Sequence, residues 1–382
     1  MKIAQHHIVQ NKWTQSGVTS PGFEDAKCQL VLAFGGTTAI KDPDIFKAVK
    51  AKYSQAQTVF CSTSGEILND EVFDDTVVLT AVEFGSTDIR CVVRDLDEKR
   101  SSYETGKELM LELASMDLNS VFVISDGTFI NGSELIAGFN DHNPTRVPVT
   151  GGLAGDGARF EKTFTGLNEI PTQGNVIAIG FYGKNLLMGH GSFGGWDEFG
   201  HERTITKSSK NVLYEIDGKS ALNLYKEYLG DYAKDLPGSA LLFPISLKTS
   251  DSEGNVVRTI LAVDEEANSM TFAGNMPVGG KVRLMKANFD RLIDGASSAA
   301  TYSFTGLRET KPQLAILISC VGRKLVLQNR VVEEVDAAKG ILGDQAAICG
   351  FYSYGEISPI KNNLKCELHN QTMTITTFTE VQ

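Results

Sequence analysis

Apolar positions in this chain fall into short continuous runs, and the runs recur in a fixed phrase. A run at 31–34 leads through a helical spacing at 43–51 to a second run at 58–62. That run ends in a polar turn, Ser62-Thr63-Ser64-Gly65-Glu66-Ile67, and a third run follows at 76–84. About three hundred residues later the phrase returns: 314–319, then 348–351 running into Tyr352-Ser353-Tyr354-Gly355-Glu356-Ile357, then 373–378. Each copy reads strand, helix, strand ending in Gly-Glu-Ile, strand. Runs without polar alternation predict strands covered on both faces. A third version occupies 121–125, a short helix at 133–139, 147–150 running into a glycine-rich turn at 151–157, and 176–181. Asp156 takes the acidic place in its turn. Repetition at this scale predicts two copies that pack with pseudo-twofold symmetry and enclose a site between them. The expected fold is α/β, with internally duplicated strand-helix-strand-strand units forming two pseudo-symmetric mixed-sheet halves and 31–84 superposing on 314–378.

Between the copies, 101–116 carries Leu109, Leu113 and Met116 at helical steps, and 288–300 mirrors it. Asp42 before Pro43 marks a helix start. The second half predicts a helix at 219–236, strands at 240–245 and 256–263 joined by a turn at 251–255, a degenerate fourth strand-and-turn at 270–275, and a strand at 282–285. Residues 189–196 are glycine-rich enough to read as a loop. The domains expected are 28–190 and 191–382, with 1–27 as an amino-terminal extension in which His6 and His7 are exposed.

Composition narrows the function. The 382 residues include 36 Lys and Arg against 47 Asp and Glu, a formal net charge of -11. That balance argues against a nucleic-acid face and against anionic lipid. No apolar run approaches the ~20 residues of a membrane helix, and no signal peptide is read. The 6 cysteines form no Cys-x-x-Cys pair, which removes the usual zinc-ribbon, redox and covalent-haem signatures. A reducing cytoplasm is the expected setting.

The polar turns carry the candidate chemistry. Cys61, Ser62, Gly65 and Glu66 form a strand-end turn whose N–H groups and hydroxyls suit a small ligand, with Glu66 as anchor; Gly151, Gly152 and Asp156 recur in the second version, and Tyr352, Tyr354 and Glu356 in the last. The plain structural reading of each is a tight turn capped by small polar side chains. Cys61 or Ser62 as a nucleophile makes a hydrolase the alternative, but no histidine has a motif partner, and no nucleophile elbow, phosphate loop or dinucleotide fingerprint is present. His190, beside glycines, Phe193 and Trp196, is the first candidate for binding a flat apolar cofactor through a metal, and His201 the second.

The motifs together resemble those of FIST-domain proteins. The resemblance rests on Cys-Ser-Thr-Ser-Gly-Glu-Ile at 61–67, Gly-Gly-Leu-Ala-Gly-Asp-Gly at 151–157, Phe-Gly-Gly-Trp-Asp-Glu-Phe-Gly at 193–200, Phe-Tyr-Ser-Tyr-Gly-Glu-Ile-Ser-Pro at 351–359 and Leu-His-Asn-Gln-Thr-Met-Thr at 368–374. It covers about 28–380, in order. It implies a stand-alone sensory input module for a small ligand, a metabolite such as an amino acid, acting in trans on a signalling partner and without catalytic activity. Some members are similar to nitric-oxide-sensing haem proteins that regulate histidine kinases and cyclic-di-GMP enzymes. By that resemblance the cofactor would be haem b, held by one histidine, with NO on the open axial position. A homodimer is left open.

Overall fold

The computed structural model describes residues 1–96, 101–248, 255–304, 311–360 and 365–381. Within them a four-strand unit occurs three times. The second and third strands of each unit run parallel and are joined by helix. The fourth is antiparallel to the second, and the first lies antiparallel outside the fourth. In the first repeat these strands are Lys2–Val9, Leu30–Gly35, Gln57–Ser62 and Val77–Glu83. In the second they are Asp88–Asp95, Leu118–Ser125, Val149–Leu153 and Asn175–Tyr182. In the third they are Leu186–Phe193, Leu314–Cys320, Ala347–Ser353 and Met373–Glu380. The segments 31–84 and 314–378 thus share one strand order, as expected. The version at 121–181 follows it too, so the mixed α/β sheets are distributed as two copies in the first half and one in the second.

The repeats are bound together by strand exchange. The short strand after each third strand leaves its own sheet. Glu66–Leu68 of the first repeat pairs with Ala347–Ser353 of the third. Gly355–Pro359 of the third pairs with Val149–Leu153 of the second. Thr165–Leu167 of the second pairs with Gln57–Ser62 of the first. The exchange closes a ring of three, and the Gly-Glu-Ile phrases are its crossing points in two of the three places.

The inner faces of the three sheets meet in one core, to which Leu32, Phe34, Phe122, Ile179, Ile316 and Phe351 contribute from all three repeats. Phe34 meets Phe351 at 4.8 Å and Phe181 meets Phe378 at 5.0 Å between ring centroids. Helices cover the outer faces: Pro43–Lys52 in the first repeat, Ser102–Leu113 with Gly132–Asp141 in the second, Phe289–Phe304 with Val331–Leu342 in the third. Strands covered on both sides explain the unalternated runs. Asp42 caps its helix by accepting the Asp44 N–H at 2.8 Å.

Between the first two strands of the third repeat lies an insert with its own sheet and core. Its strands include Asp197–Ser209, Val212–Ile216, Ile245–Lys248, Ser269–Phe272 and Lys281–Lys286, and the helix Ala221–Leu229 packs on them.

Several local expectations change. The glycine-rich segment 189–196 is mostly strand, since Leu186–Phe193 pairs along Met373–Glu380. Its glycines serve packing: a methyl group on Gly191 would sit 2.1 Å from the Ala299 carbonyl oxygen of the covering helix. Residues 1–27 supply the opening strand and a hairpin partner, Lys12–Thr19. His6 and His7 lie on that opening strand, half-buried, and His6 contacts the Tyr53 hydroxyl at 2.9 Å. The helix expected at 219–236 ends at Leu229 and continues as a 3-10 turn, Gly230–Asp235. A second 3-10 turn, Gly238–Leu242, replaces the strand expected at 240–245. The strand within 270–275 belongs to the insert sheet. Of the turn at 251–255, residues 251–254 lie outside the described residues.

Candidate functional site

The two crossings made by the Gly-Glu-Ile phrases are each locked by a buried carboxylate on the exchanged strand. Glu66 accepts from the Thr63 hydroxyl at 2.5 Å, and its other oxygen accepts from the Thr76 N–H and hydroxyl at 3.1 and 2.9 Å. Glu356 repeats the pattern with the Ser353 hydroxyl at 2.8 Å and with the Thr372 N–H and hydroxyl at 3.1 and 2.8 Å. Thr76 and Thr372 each immediately precede the fourth strand of their repeat. In the second repeat the N–H at that position belongs to Gly174, and it donates to Asp126 at 3.1 Å. Asp126 also accepts from the Thr128 N–H, the Thr128 hydroxyl and the Phe129 N–H. In the second repeat the carboxylate that accepts the N–H before the fourth strand is therefore Asp126, not Asp156. Burial raises the Glu66 carboxyl to about 7 and the Glu356 carboxyl to about 8, partly opposed by those hydrogen bonds.

The other turn residues tie the repeats together. Cys61 is fully buried, and burial pushes its thiol well above the ordinary range. The Ser62 hydroxyl donates to the Gly155 carbonyl and accepts from the Phe164 N–H. Neither has the access or the adjacent base that a nucleophile needs. Gly65 lies on the crossing, where Lys324 of the third repeat donates to the Ser64 carbonyl at 2.9 Å and to Asp74. Gly151 has φ 143, and a methyl group there would sit 1.9 Å from the Val123 carbonyl oxygen of the neighbouring strand. Gly152 faces Ile318 across the inner core.

The third repeat closes its strand end with a buried ion pair. Arg323 and Glu334 are both fully buried, with guanidinium and carboxylate 2.7 Å apart. Glu334 also accepts from the Ser319 hydroxyl at 3.0 Å and the Tyr352 hydroxyl at 2.8 Å. Arg323 also donates to the Gly194 and Leu292 carbonyls. Trp196 donates its indole N–H to the Gln371 carbonyl at 2.7 Å and packs against Leu292 and Val326. The Phe-Gly-Gly-Trp motif is thus a collar around Arg323, and Tyr352 is part of the same knot.

The second repeat leaves the corresponding end open. A cleft of about 370 Å³ lies at the carboxyl ends of its parallel strands, between residues 127–131 and Leu153 on one side and Asn211, Leu261 and residues 272–274 of the insert on the other. Phe160 and Tyr354 complete its wall. Phe160 is held there with φ 57, a conformation that a bulky residue adopts at a cost of about 1–2 kcal/mol. Asp156 holds the turn by accepting the N–H groups of Phe160, Glu161 and Lys162 at 2.8, 3.0 and 2.8 Å. The Tyr354 hydroxyl donates to Asp156, and its ring stacks on Phe160 at 4.5 Å with 16° between planes. Phe129, Phe160 and Leu261 remain 59%, 43% and 43% exposed.

Of the residues expected to line a ligand site, Tyr354 does so and Asp156 acts one step behind. Ser62, Glu66 and Glu356 face none of the clefts seen here. A wider groove of about 620 Å³ opens at the strand end of the first repeat, beside Thr37, Asp42, Asp75 and Arg159. The two histidines stand apart. His201 borders an apolar gap of about 20 Å³ in the insert, too small for a haem, since ligand pockets run to roughly 300–1,000 Å³. His190 lies opposite Thr376 on the third-repeat sheet. Burial lowers it to about 4, so its ring is neutral, and Nδ1 is buried without a hydrogen-bond partner. A neutral ring with a free nitrogen is competent to ligate iron, but His190 lines none of these clefts. Among the described residues no group of three or more His, Cys, Asp or Glu side chains is placed to hold a metal ion.

Sequence comparison assigns the class. The FIST N domain matches residues 29–219 and the FIST C domain residues 221–359. The chain belongs to the FIST family, whose domains are associated with sensory ligand binding. An uncharacterized protein of Methanocaldococcus jannaschii is 24% identical over 325 residues, which is 76% of this chain and 59% of that protein. The chain therefore spans less than two thirds of that relative. A crystal structure of cyanuric acid hydrolase from A. caulinodans aligns over 100% of this chain and 99% of its own, with 7% identity and a TM-score of 0.39. Likeness at that level carries no argument about activity. No described helix is long and apolar enough to cross a membrane.

Proposed function

We propose that this protein is a sensory input module that binds a small metabolite in the cleft between the second repeat and the insert. One observation carries the reading. A cleft of about 370 Å³ sits at the carboxyl ends of parallel strands, between two bodies with separate cores, and keeps Phe129, Phe160 and Leu261 at its rim. Strand ends and boundaries between packed bodies are where α/β proteins place ligands. A ligand touching both walls would favour one placement of the insert over another, and a separate partner such as a histidine kinase or a cyclic-di-GMP enzyme would read that difference in the cytoplasm. The test is hydrogen exchange on the full chain with and without a metabolite library. Protection concentrated at 127–131 and 272–274 is expected. Protection confined to other segments overturns the assignment.

The unpartnered Nδ1 of His190 supports a second reading, a haem-based nitric oxide sensor. In it His190 would be the residue that holds haem b, and the bound haem would supply the NO-binding chemistry. Titration with haem distinguishes the two. A stoichiometric Soret band that disappears in His190→Ala supports haem. No saturable uptake leaves the metabolite reading alone.

A further inference from the structure

The chemistry of the cleft wall narrows what it accepts. None of its lining side chains is charged. Its polar side-chain groups are the Thr128 hydroxyl, the amides of Asn131 and Asn211, and the Tyr354 hydroxyl, which is already bonded to Asp156. Asn131 bridges to Asn275 of the insert at 3.2 Å, and the Asn211 amide N–H donates to the Phe272 carbonyl at 2.8 Å, which leaves the Asn211 oxygen as an acceptor. The nearest buried carboxylates, Asp126 and Asp156, face backbone and hydroxyl donors of their own turns. The amine at the outer wall, Lys210, is paired with Glu134 at 3.0 Å. The one buried cation in the wall, Arg258 behind Gly274, is covered by backbone and donates to the Val257, Asn275 and Leu368 carbonyls, so a charged ligand would lose hydration here without meeting an opposite charge at the cleft surface. Aromatic faces are plentiful: Phe129, Phe160 and Tyr354 line the cleft, and Phe160 is held in a left-handed backbone conformation by the Asp156 cap. Backbone strain at a bulky residue, maintained by a buried cap, is concentrated at ligand-binding sites.

We propose that the cleft takes an uncharged, planar aromatic molecule that packs on the Phe129 and Phe160 rings and donates a hydrogen bond to the Asn211 carbonyl oxygen. The proposal rests on the cleft being the sensory site, and it excludes zwitterions, organic acids and organic cations as ligands. Asp156 is a positioning residue, acting through Phe160.

Three probes with one ring and three charges test it: indole, indole-3-acetate and tryptamine, each titrated into the full chain at pH 7 by calorimetry, with hydrogen exchange read at 127–131 and 272–274. Indole is expected to bind at least tenfold more tightly than either charged probe and to protect both segments. Phe129→Ala, at an exposed position, is expected to weaken indole about fivefold to tenfold, the size of one lost aromatic contact. Phe160→Gly, which relieves the backbone strain and removes the ring, is expected to do the same without loss of melting temperature. If indole-3-acetate or tryptamine protects the segments more strongly than indole, the cleft stands as the site and the uncharged class is overturned. If none of the three protects them, the uncharged aromatic class fails. If indole protects only other segments, the cleft itself fails.

Discussion

At the carboxyl ends of their parallel strands the second and third repeats share a framework and differ in what fills it. The third repeat packs Arg323, Glu334, Tyr352 and the Gly194 carbonyl into a closed knot. The second keeps a cleft walled by Phe160 and Tyr354. Both retain a carboxylate that accepts the N–H before the fourth strand, from Asp126 in one and Glu356 in the other. The lock is common to the repeats, whereas the contents of the strand end are free to be either structure or site. Stability and recognition are thus assigned to different copies of one unit.

The sharpest way to break this contrast is to open the closed end. Arg323→Met leaves Glu334 buried without its cation and is expected to cost about 3–5 kcal/mol in urea unfolding, whereas Arg323→Met with Glu334→Leu recovers most of it. A single variant as stable as wild type would mean the knot is not a stabilising element. Next come the locks. Glu356→Ala strands the Thr372 N–H and two hydroxyls and is expected to cost about 1–3 kcal/mol.

The locks also set a pH dependence. The native carboxyls of Glu66 and Glu356 stand at about 7 and about 8, above their ordinary 4.5. Between those limits these two groups hold more protons in the native state than in the unfolded one, so their contribution to stability is full below about 4.5 and is lost as pH rises to about 8. The Glu66→Gln, Glu356→Gln double variant is expected to flatten that fall in melts between pH 5 and 8. Parallel profiles for variant and wild type would remove the two carboxyls as its source.

Smaller effects sharpen the comparison. Lys324→Met removes the tie between the third repeat and the Ser64 carbonyl of the first, and a loss of about 1 kcal/mol is expected in thermal melts. At the open end, Phe129→Ala is expected to change stability by less than about 0.5 kcal/mol, because the ring is 59% exposed. A loss comparable to that of Arg323→Met would make the cleft wall structural.

The repeat was legible because unalternated runs ending in the same turn mark strands covered on both faces. The ring was not, because the partner of Glu66–Leu68 lies nearly three hundred residues away and nothing local to the Gly-Glu-Ile phrase names it. Asp126 escaped notice because its carboxylate leaves from the second strand of its repeat instead of the turn after the third; the Ser125-Asp126-Gly127-Thr128 turn was the available signal. The cleft was hidden because half its wall comes from the insert, which shares no pattern with the repeats. Glycines at 189 and 191 read as loop, although both lie on a paired strand and Gly191 is what lets a helix lie close on it.

The strand exchange has a consequence for anyone who would cut this molecule into parts. A fragment holding only the second repeat would expose the long edge of Val149–Leu153 and carry Thr165–Leu167 with nothing to pair with. Such edges recruit other chains and aggregate. No repeat is autonomous, so the boundary that sequence families draw near residue 220 separates motifs, not folding units. The smallest piece that can be expected to fold is the one that contains all three repeats.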